Sequence, residues 1–513
     1  MFDLTLYNGK IYSITEENEC FNYIVIKDGI IKEIGNSNLK EVIENSKRVI
    51  DLDGKTILPS FSDGHVHLVQ TGLNYLGLDL SGVTTIDEVL SLISERSKNV
   101  SPGKLIRGIH FDVTRIKERR FPTKRELDDV SNNNPVWINS IEFHMSAVNS
   151  MALHLVNLPY FIDGIARDER NLPEGFLSGK ASAYFRNRVF EKITDRERML
   201  GVNIAIESII SKGVTSVHAM EGGYSFHDKD VQFILKNKNK FPIDIHLFYQ
   251  SYDIEKIVEN NLKRIGGDIF IDGSFGSKTA AISENYIDSE MNGKLYFNDD
   301  ELDYFIKSSL KNKLQISLHT IGDRAIDQAL KSFEKYLISD EDKALRHRLE
   351  HFELASDKHI EIAKKLNIDI SVQPVYENLW GGMNQMYEKR LGKRYLETNR
   401  FRKYIDNGLN LIGGSDSDVT EINPILGIHS AVNHPKENSR ISVLEAIRMF
   451  TYNCQYSVFK ENEKGTLEKD KTADFIILDA DPFAINKKNI KDINVLFTYK
   501  DGFCIYSRGD DLE

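Results

Sequence analysis

The chain has 513 residues, a net charge of -11 and an apolar fraction of 41%. That length exceeds one ordinary domain and suits a large barrel with an accessory domain, while the acidic balance argues against a nucleic-acid partner. No apolar run approaches a membrane span, no basic leader precedes an apolar stretch, and Cys20, Cys454 and Cys504 lack CxxC spacing, so a cytoplasmic protein with reduced thiols is expected.

The first fifty-odd residues read as short strands broken by turn signals: Leu4–Tyr7 ends at Asn8-Gly9, Tyr23–Ile26 at Asp28-Gly29 and Arg48–Leu52 at Asp53-Gly54. The far end repeats this style with Ala473–Asp479, Val495–Tyr499 and Phe503–Tyr506. Residues 1–57 and 465–513 are therefore expected to build one small β-sandwich domain from both termini, with the barrel over 58–464. In that middle part, apolar strands alternate with amphipathic helices. Val214–Val217, Asp244–Phe248, Asp268–Ile271, Gln315–Leu318, Arg346–Glu350, Ile368–Val372 and Leu409–Gly413 read as strands. Ile204–Ser211, Ala325–Tyr336 and Lys358–Lys365 read as helices with apolar three- and four-residue spacing. Repeated βα units mean a parallel sheet, and about 130 residues between Gly72 and Leu200 interrupt the rhythm, as an insertion over one barrel mouth would. The run Lys236–Lys240 reads as a solvated face.

His65-Val66-His67 closes an apolar run. Side chains alternate along a strand, so these two imidazoles point the same way and offer two nitrogen ligands suited to zinc. Alone, such a pair is weak evidence. His218, His319, His351 and Asp416, however, each follow an expected strand. In a (β/α)8 barrel all C-terminal strand ends converge on one face, so these distant residues would share one polar pocket. Taken singly, a strand-end His is more often a satisfied polar residue, and Asp416 in Gly-Gly-Ser-Asp-Ser-Asp would serve as a helix N-cap. Taken together, several independent coincidences in one order would be needed.

The order His-x-His, His, His, Asp resembles the amidohydrolase superfamily, and finer motifs resemble its amidohydrolase family 3 (YtcJ-like) branch. They are Asp272–Ala280, His319–Ala325, Arg346–His351, Gln373-Pro374, Gly414-Ser415-Asp416, Asn423-Pro424-Ile425, Gly465–Glu468 and Ala473–Phe475, so the resemblance runs essentially end to end. It implies a TIM-like barrel, a β-sandwich from both termini, and metal-dependent hydrolysis, usually of a C–N bond.

Two departures stand out. The usual Pro-Gly-Phe before the first His is Pro59-Ser60-Phe61 here, and Asp268 stands where many two-metal relatives carry a carboxylated, bridging lysine. An Asp is shorter than a lysine carbamate by about 5 Å, so Asp268 is expected not to bridge two ions without a backbone shift. Lys278 lies in the wrong motif to substitute. The favoured reading is thus one divalent metal, zinc, on His65, His67, His319 and Asp416, with His351 a ligand or a group orienting the water. The metal would activate water and polarise the carbonyl, Asp416 would act as general base then acid, and His351 or His218 near the rim would donate to the oxyanion. Asp272 reads first as a loop former. Asp323 and Arg324 either bind substrate or pair with each other, and His144, in the insertion, either reaches into the pocket as a substrate contact or plays a structural role.

The expected activity is hydrolysis of a non-peptide amide-type C–N bond in a small-molecule substrate. A rival is deamination of a cyclic amidine, weakened because Asp323 stands where such enzymes usually place a glutamate. A second rival is a non-catalytic barrel scaffold, against which the retained ligand candidates argue. Trp380, Tyr376, Phe275 and Tyr286 either shape an apolar substrate pocket or simply pack under loops. The substrate itself does not follow from the fold, and a homodimer is the default assembly.

Overall fold

In a computed structural model, residues 1–16, 19–131, 133–140 and 145–509 are described. They divide into two compact units, one of 1–68, 206–225 and 234–513, the other of 69–205 and 226–233.

The first unit holds two sheets. One has eight strands drawn from both chain ends, in the order Phe503–Ser507, Val495–Lys500, Phe475–Leu478, Thr56–Pro59, Phe2–Tyr12, Cys20–Lys27 and Ile30–Gly35, with Ser46–Asp51 parallel to Phe2–Tyr12. The long strand Phe2–Tyr12 serves two neighbours: Phe2–Tyr7 pairs with Ser46–Asp51, and Lys10-Ile11 with Thr56-Ile57. Alternating apolar residues such as Leu4, Leu6, Ile11, Ile24, Ile26, Ile57, Phe475 and Ile477 pack as one core.

Strand Thr56–Pro59 leads through Ser60 into the second sheet, an eight-strand, all-parallel TIM-like barrel. Its strands in order are Phe61–Val66, Val214–Glu221, Asp244–Tyr249, Arg264–Phe270, Gln315–Thr320, Arg348–His351, Asp369–Val372 and Leu411–Gly413. The first and eighth strands are joined at their C-terminal ends, where the Asp416 N–H donates to the His65 carbonyl and the His67 N–H to the Ser417 carbonyl, both at 2.8 Å. Helices between strands carry the apolar spacing seen in the sequence. In Asp323–Tyr336, for example, Ala325, Ile326, Ala329, Leu330 and Phe333 are buried. Several expected strands prove longer, among them two barrel strands at the site. The second barrel strand runs on to Glu221, so His218 lies inside it, and the fourth starts at Arg264 and contains Gly266-Gly267.

The second unit contains a six-stranded sheet in the order Ile165–Arg167, Pro173–Ser178, Met145–Val148, Val136–Ser140, Ile106–Phe111 and Leu78–Asp79. Its helices start cleanly: Thr85 and Thr123 each close a capping box, with Glu88 and Glu126. A buried ion pair, Arg198 to Asp230 at 2.6 Å, lies within this unit. Among the described residues no helix is long and apolar enough to cross a membrane, and all three cysteines are free.

Candidate metal centre

At the C-terminal end of the barrel, His65, His67, Asp268, His319, His351 and Asp416 come together, all buried. Three sets of three have donor atoms within 4.8 Å of one another: His65, His351 and Asp416; His65, His67 and Asp268; Asp268, His319 and His351.

Each strand end aims its side chain through a partner behind it. His65 Nδ1 lies 2.7 Å from Glu350 Oε2, His67 Nδ1 2.9 Å from the Met220 carbonyl, and His351 Nδ1 2.8 Å from Gln373 Oε1. All three partners are acceptors, so each Nδ1 carries the proton and each Nε2 is left as a lone-pair donor. His65 and His67 Nε2 both lie 3.3 Å from Asp416 Oδ1, and His351 Nε2 lies 3.4 Å from Asp268 Oδ1. The Tyr376 hydroxyl donates to the other oxygen of Asp416 at 2.5 Å. Asp416 sits at φ 52°, in the left-handed region that short polar residues tolerate best after glycine. Asp63 ties the first and eighth strand ends together by accepting the N–H groups of His65 and Ser415, both at 3.0 Å.

The electrostatics are those of a site for a cation. Burial works against a charged His67, yet the Asp416 carboxylate beside it lifts its pKa to about 9, and the same balance carries His65 well above its ordinary value. Asp416 is held well below the carboxylate range: burial opposes ionisation, but His65 and His67 outweigh it. A pocket that draws protons onto buried imidazoles draws a divalent cation by the same field. The donor set fits a metal in a second way. His65 Nε2, His351 Nε2, His319 Nδ1 and Asp268 Oδ1 are buried without a hydrogen-bond partner, a costly state that metal coordination would relieve.

Several expectations need correcting. Asp268, outside the expected ligand set, stands with its carboxylate among the histidines, 3.4 Å from His351, 3.9 Å from His65 and 3.8 Å from His67. Just before it the strand carries a register offset between Ile265 and Ile269, with Gly266 and Gly267 both at positive φ. His218 does not lie at the rim. It is fully buried inside the second strand, where its Nδ1 accepts from Arg348 at 2.7 Å, and burial followed by the Arg348 charge keeps it neutral. Asp272 is more than a turn residue. Wholly buried, it accepts the N–H groups of Ala281, Ile321 and Gly322 and stands 3.5 Å from His319 Nδ1, so it ties the loop after the fourth strand to the end of the fifth. Asp323 binds the N–H and hydroxyl of Ser283, and among the described residues no ion pair joins it to Arg324. Lys278 pairs with Asp288 at 3.0 Å, away from the cluster. His144 lies outside the described residues.

Sequence reasoning missed Glu350 and Arg348. The Arg348 guanidinium binds Glu350 from one side at 2.9 Å while Ser317 donates to it from another, which holds the carboxylate behind His65. Against the burial that would neutralise it, Arg348 and His65 keep Glu350 ionised. The signal was present: Arg348 and Glu350 alternate on one face of a strand whose other residues are apolar or a ligand candidate.

The amidohydrolase family model matches residues 48–506. YtcJ of Bacillus subtilis (strain 168), which carries the amidohydrolase name, is 28% identical over 537 residues, 98% of this chain and 99% of that protein. The N-substituted formamide deformylase of Arthrobacter pascens is 26% identical over 544 residues, 99% of each. Among solved structures, an uncharacterized metal-dependent hydrolase from Pyrococcus furiosus superposes with a TM-score of 0.78 at 28% identity, over 94% of this chain and 99% of that one. With the match spanning both the terminal sheet and the barrel, the chain belongs to the amidohydrolase family.

Proposed function

We propose that this chain is a metal-dependent hydrolase that cleaves a non-peptide, amide-type C–N bond of a small molecule. The observation that carries the reading is the convergence of four buried imidazoles and two carboxylates on one barrel end, with orphaned donor atoms facing one another. The formamide deformylase among its relatives supports an amide-type substrate.

His65, His67, His319, His351 and Asp416, joined by Asp268, would hold a divalent ion, and their nitrogen-rich set favours zinc. Such an ion supplies Lewis acidity, lowering the pKa of a water molecule and polarising the scissile carbonyl. Asp416, whose Oδ1 faces His65 and His67 and whose Oδ2 accepts from Tyr376, stands beside the ion site and would take a proton from the attacking water and return it to the leaving nitrogen. His351, locked by Gln373, presents Nε2 to the same space and serves as a ligand through that lone pair or, as an imidazolium with both nitrogens protonated, as a donor to the oxyanion. The wall nearby is aromatic: Tyr376 and Trp380 rings lie 4.7 Å apart, which suits an apolar or aryl substituent.

A cyclic-amidine deaminase would want a free carboxylate soon after His319, but Asp323 is committed to Ser283. The test is to load the purified protein with zinc and assay a panel of N-substituted formamides and acetamides beside cytosine and adenine. Amine release from the amides supports the reading; ammonia from the nucleobases alone would replace it with the deaminase, and no turnover with a metal-free protein would leave a scaffold.

A further inference from the structure

We infer that the substrate carries apolar groups on both sides of the scissile bond. An acyl substituent larger than formyl lies against Phe270, Tyr224 and Tyr252, opposite the N-substituent held by Tyr376 and Trp380. The inference rests on the metal-hydrolase reading above and deepens it to a substrate class, the secondary amides of aryl-bearing acids.

Phe270 closes the fourth barrel strand two residues after Asp268, so the two side chains project from the same face of that strand. Its ring lies 4.7 Å from that of His319 on the next strand end, and it stays half-buried. From there a row of rings leads outward over the ends of the second and third strands. Tyr224 meets Phe270 edge-on at 5.5 Å, and its hydroxyl donates to the Phe270 carbonyl at 3.4 Å. Tyr252 meets Tyr224 edge-on at 6.3 Å and is 60% exposed. Rings that only fill space beneath loops are covered, as Phe275 and Tyr286 are at 2% each within one apolar cluster. The row of Phe270, Tyr224 and Tyr252 instead keeps aromatic surface open from the ligand cluster to solvent, on the barrel face where substrates bind.

The position of Asp416 decides which end of an amide each wall takes. Asp416, assigned the return of the proton to the leaving nitrogen, has Oδ2 against the Tyr376 hydroxyl. The nitrogen therefore lies toward Tyr376, and its substituent meets Tyr376 and Trp380 on the helix after the seventh strand. Phe270 ends the fourth strand, which stands across the barrel from the eighth strand and its Asp416. A planar trans amide sends its acyl and nitrogen substituents in opposite directions, so the acyl group points toward Phe270. A formyl hydrogen would leave that wall wet. An aryl group would cover it, in the edge-on or offset contacts that aromatic rings prefer.

The experiment compares the N-(2-phenylethyl) amides of formic, acetic and phenylacetic acid on zinc-loaded full-length protein. Calorimetric binding of the same amides to metal-stripped protein, where nothing turns over, gives a second readout. The phenylacetyl amide should exceed the formamide by about 10–100-fold in kcat/KM and should bind more tightly to the stripped protein. Phe270→Ala should bring that ratio close to one, and Tyr252→Ala should lower it in the same direction. Tyr252 is exposed and touches no ligand candidate, so its variant decides if Phe270→Ala fails to fold or to hold zinc. Trp380→Ala should slow all three amides and leave the ratio where it was. A wild type that prefers the formamide, or Phe270 and Tyr252 variants that slow all three amides equally, overturns the acyl subsite and leaves a metal hydrolase. No turnover of any amide by the zinc-loaded protein overturns the metal-hydrolase reading and the inference with it.

Discussion

The carboxylate of Glu350 and the imidazole of His65, 285 residues apart in sequence, meet at 2.7 Å behind the metal centre. Arg348 fixes Glu350 in turn, so an ion pair buried in the barrel sets the tautomer of a candidate ligand. Substitution Glu350→Gln keeps the shape and removes the charge. We expect metal affinity to fall by about 10–100-fold, measured by chelator competition, with the reloaded protein regaining its ion at high metal concentration.

Tyr376 donates to Asp416, the group assigned the proton transfers. A hydrogen bond to a charged group contributes about 1.5–3 kcal/mol, so Tyr376→Phe should lower kcat/KM by about 10–100-fold. Metal content should stay at the wild-type value. Loss of the metal along with the activity would instead make Tyr376 a support for the ligand set.

His218 and Arg348 test the correction made for the rim. His218→Ala takes an acceptor from a buried guanidinium and should cost about 1–3 kcal/mol in denaturant melts. KM should be unchanged. A raised KM at wild-type stability would return His218 to the substrate.

Asp369, at the start of the seventh barrel strand, carries a carboxyl that burial pushes up to about 7. Its pKa in the unfolded chain is about 3.9, so between those values the native state binds more protons than the unfolded one. Its contribution to stability is therefore full at low pH and is lost as pH rises through that window. Asp369→Asn, which keeps an oxygen for the 3.0 Å bond from Asn410, should remove this slope. Melting temperatures of wild type and variant should diverge in the variant's favour from about pH 4 to about pH 7 and run parallel above it.

Metal removal should be visible in stability as well as activity. An ion held only by the native state adds RT ln(1 + [L]/Kd), about 2.7 kcal/mol at a hundredfold excess over Kd. Chelator should therefore lower the melting temperature of the wild type and leave that of His319→Ala unmoved.

The alternation of His65 and His67, the strands that carry His319 and His351 at their C-terminal ends, and the acidic turn at Asp416 were legible in the sequence because each is a local pattern: a period of two, or an apolar run closed by a polar residue. Those patterns, set in a repeated βα rhythm, were enough for the barrel and for five of the six clustered residues. What only the tertiary structure decided depends on register between strands distant in the chain. The pairing of the fourth strand with the fifth accommodates two extra residues around Gly266-Gly267, just before Asp268, and no local pattern announces that offset. The depth of His218, the hold of Glu350 on His65 and the anchoring of Asp272 by three backbone N–H groups have the same origin. Buried polar groups take their roles from partners across the barrel, and neither spacing nor periodicity along one chain encodes which strand will face which.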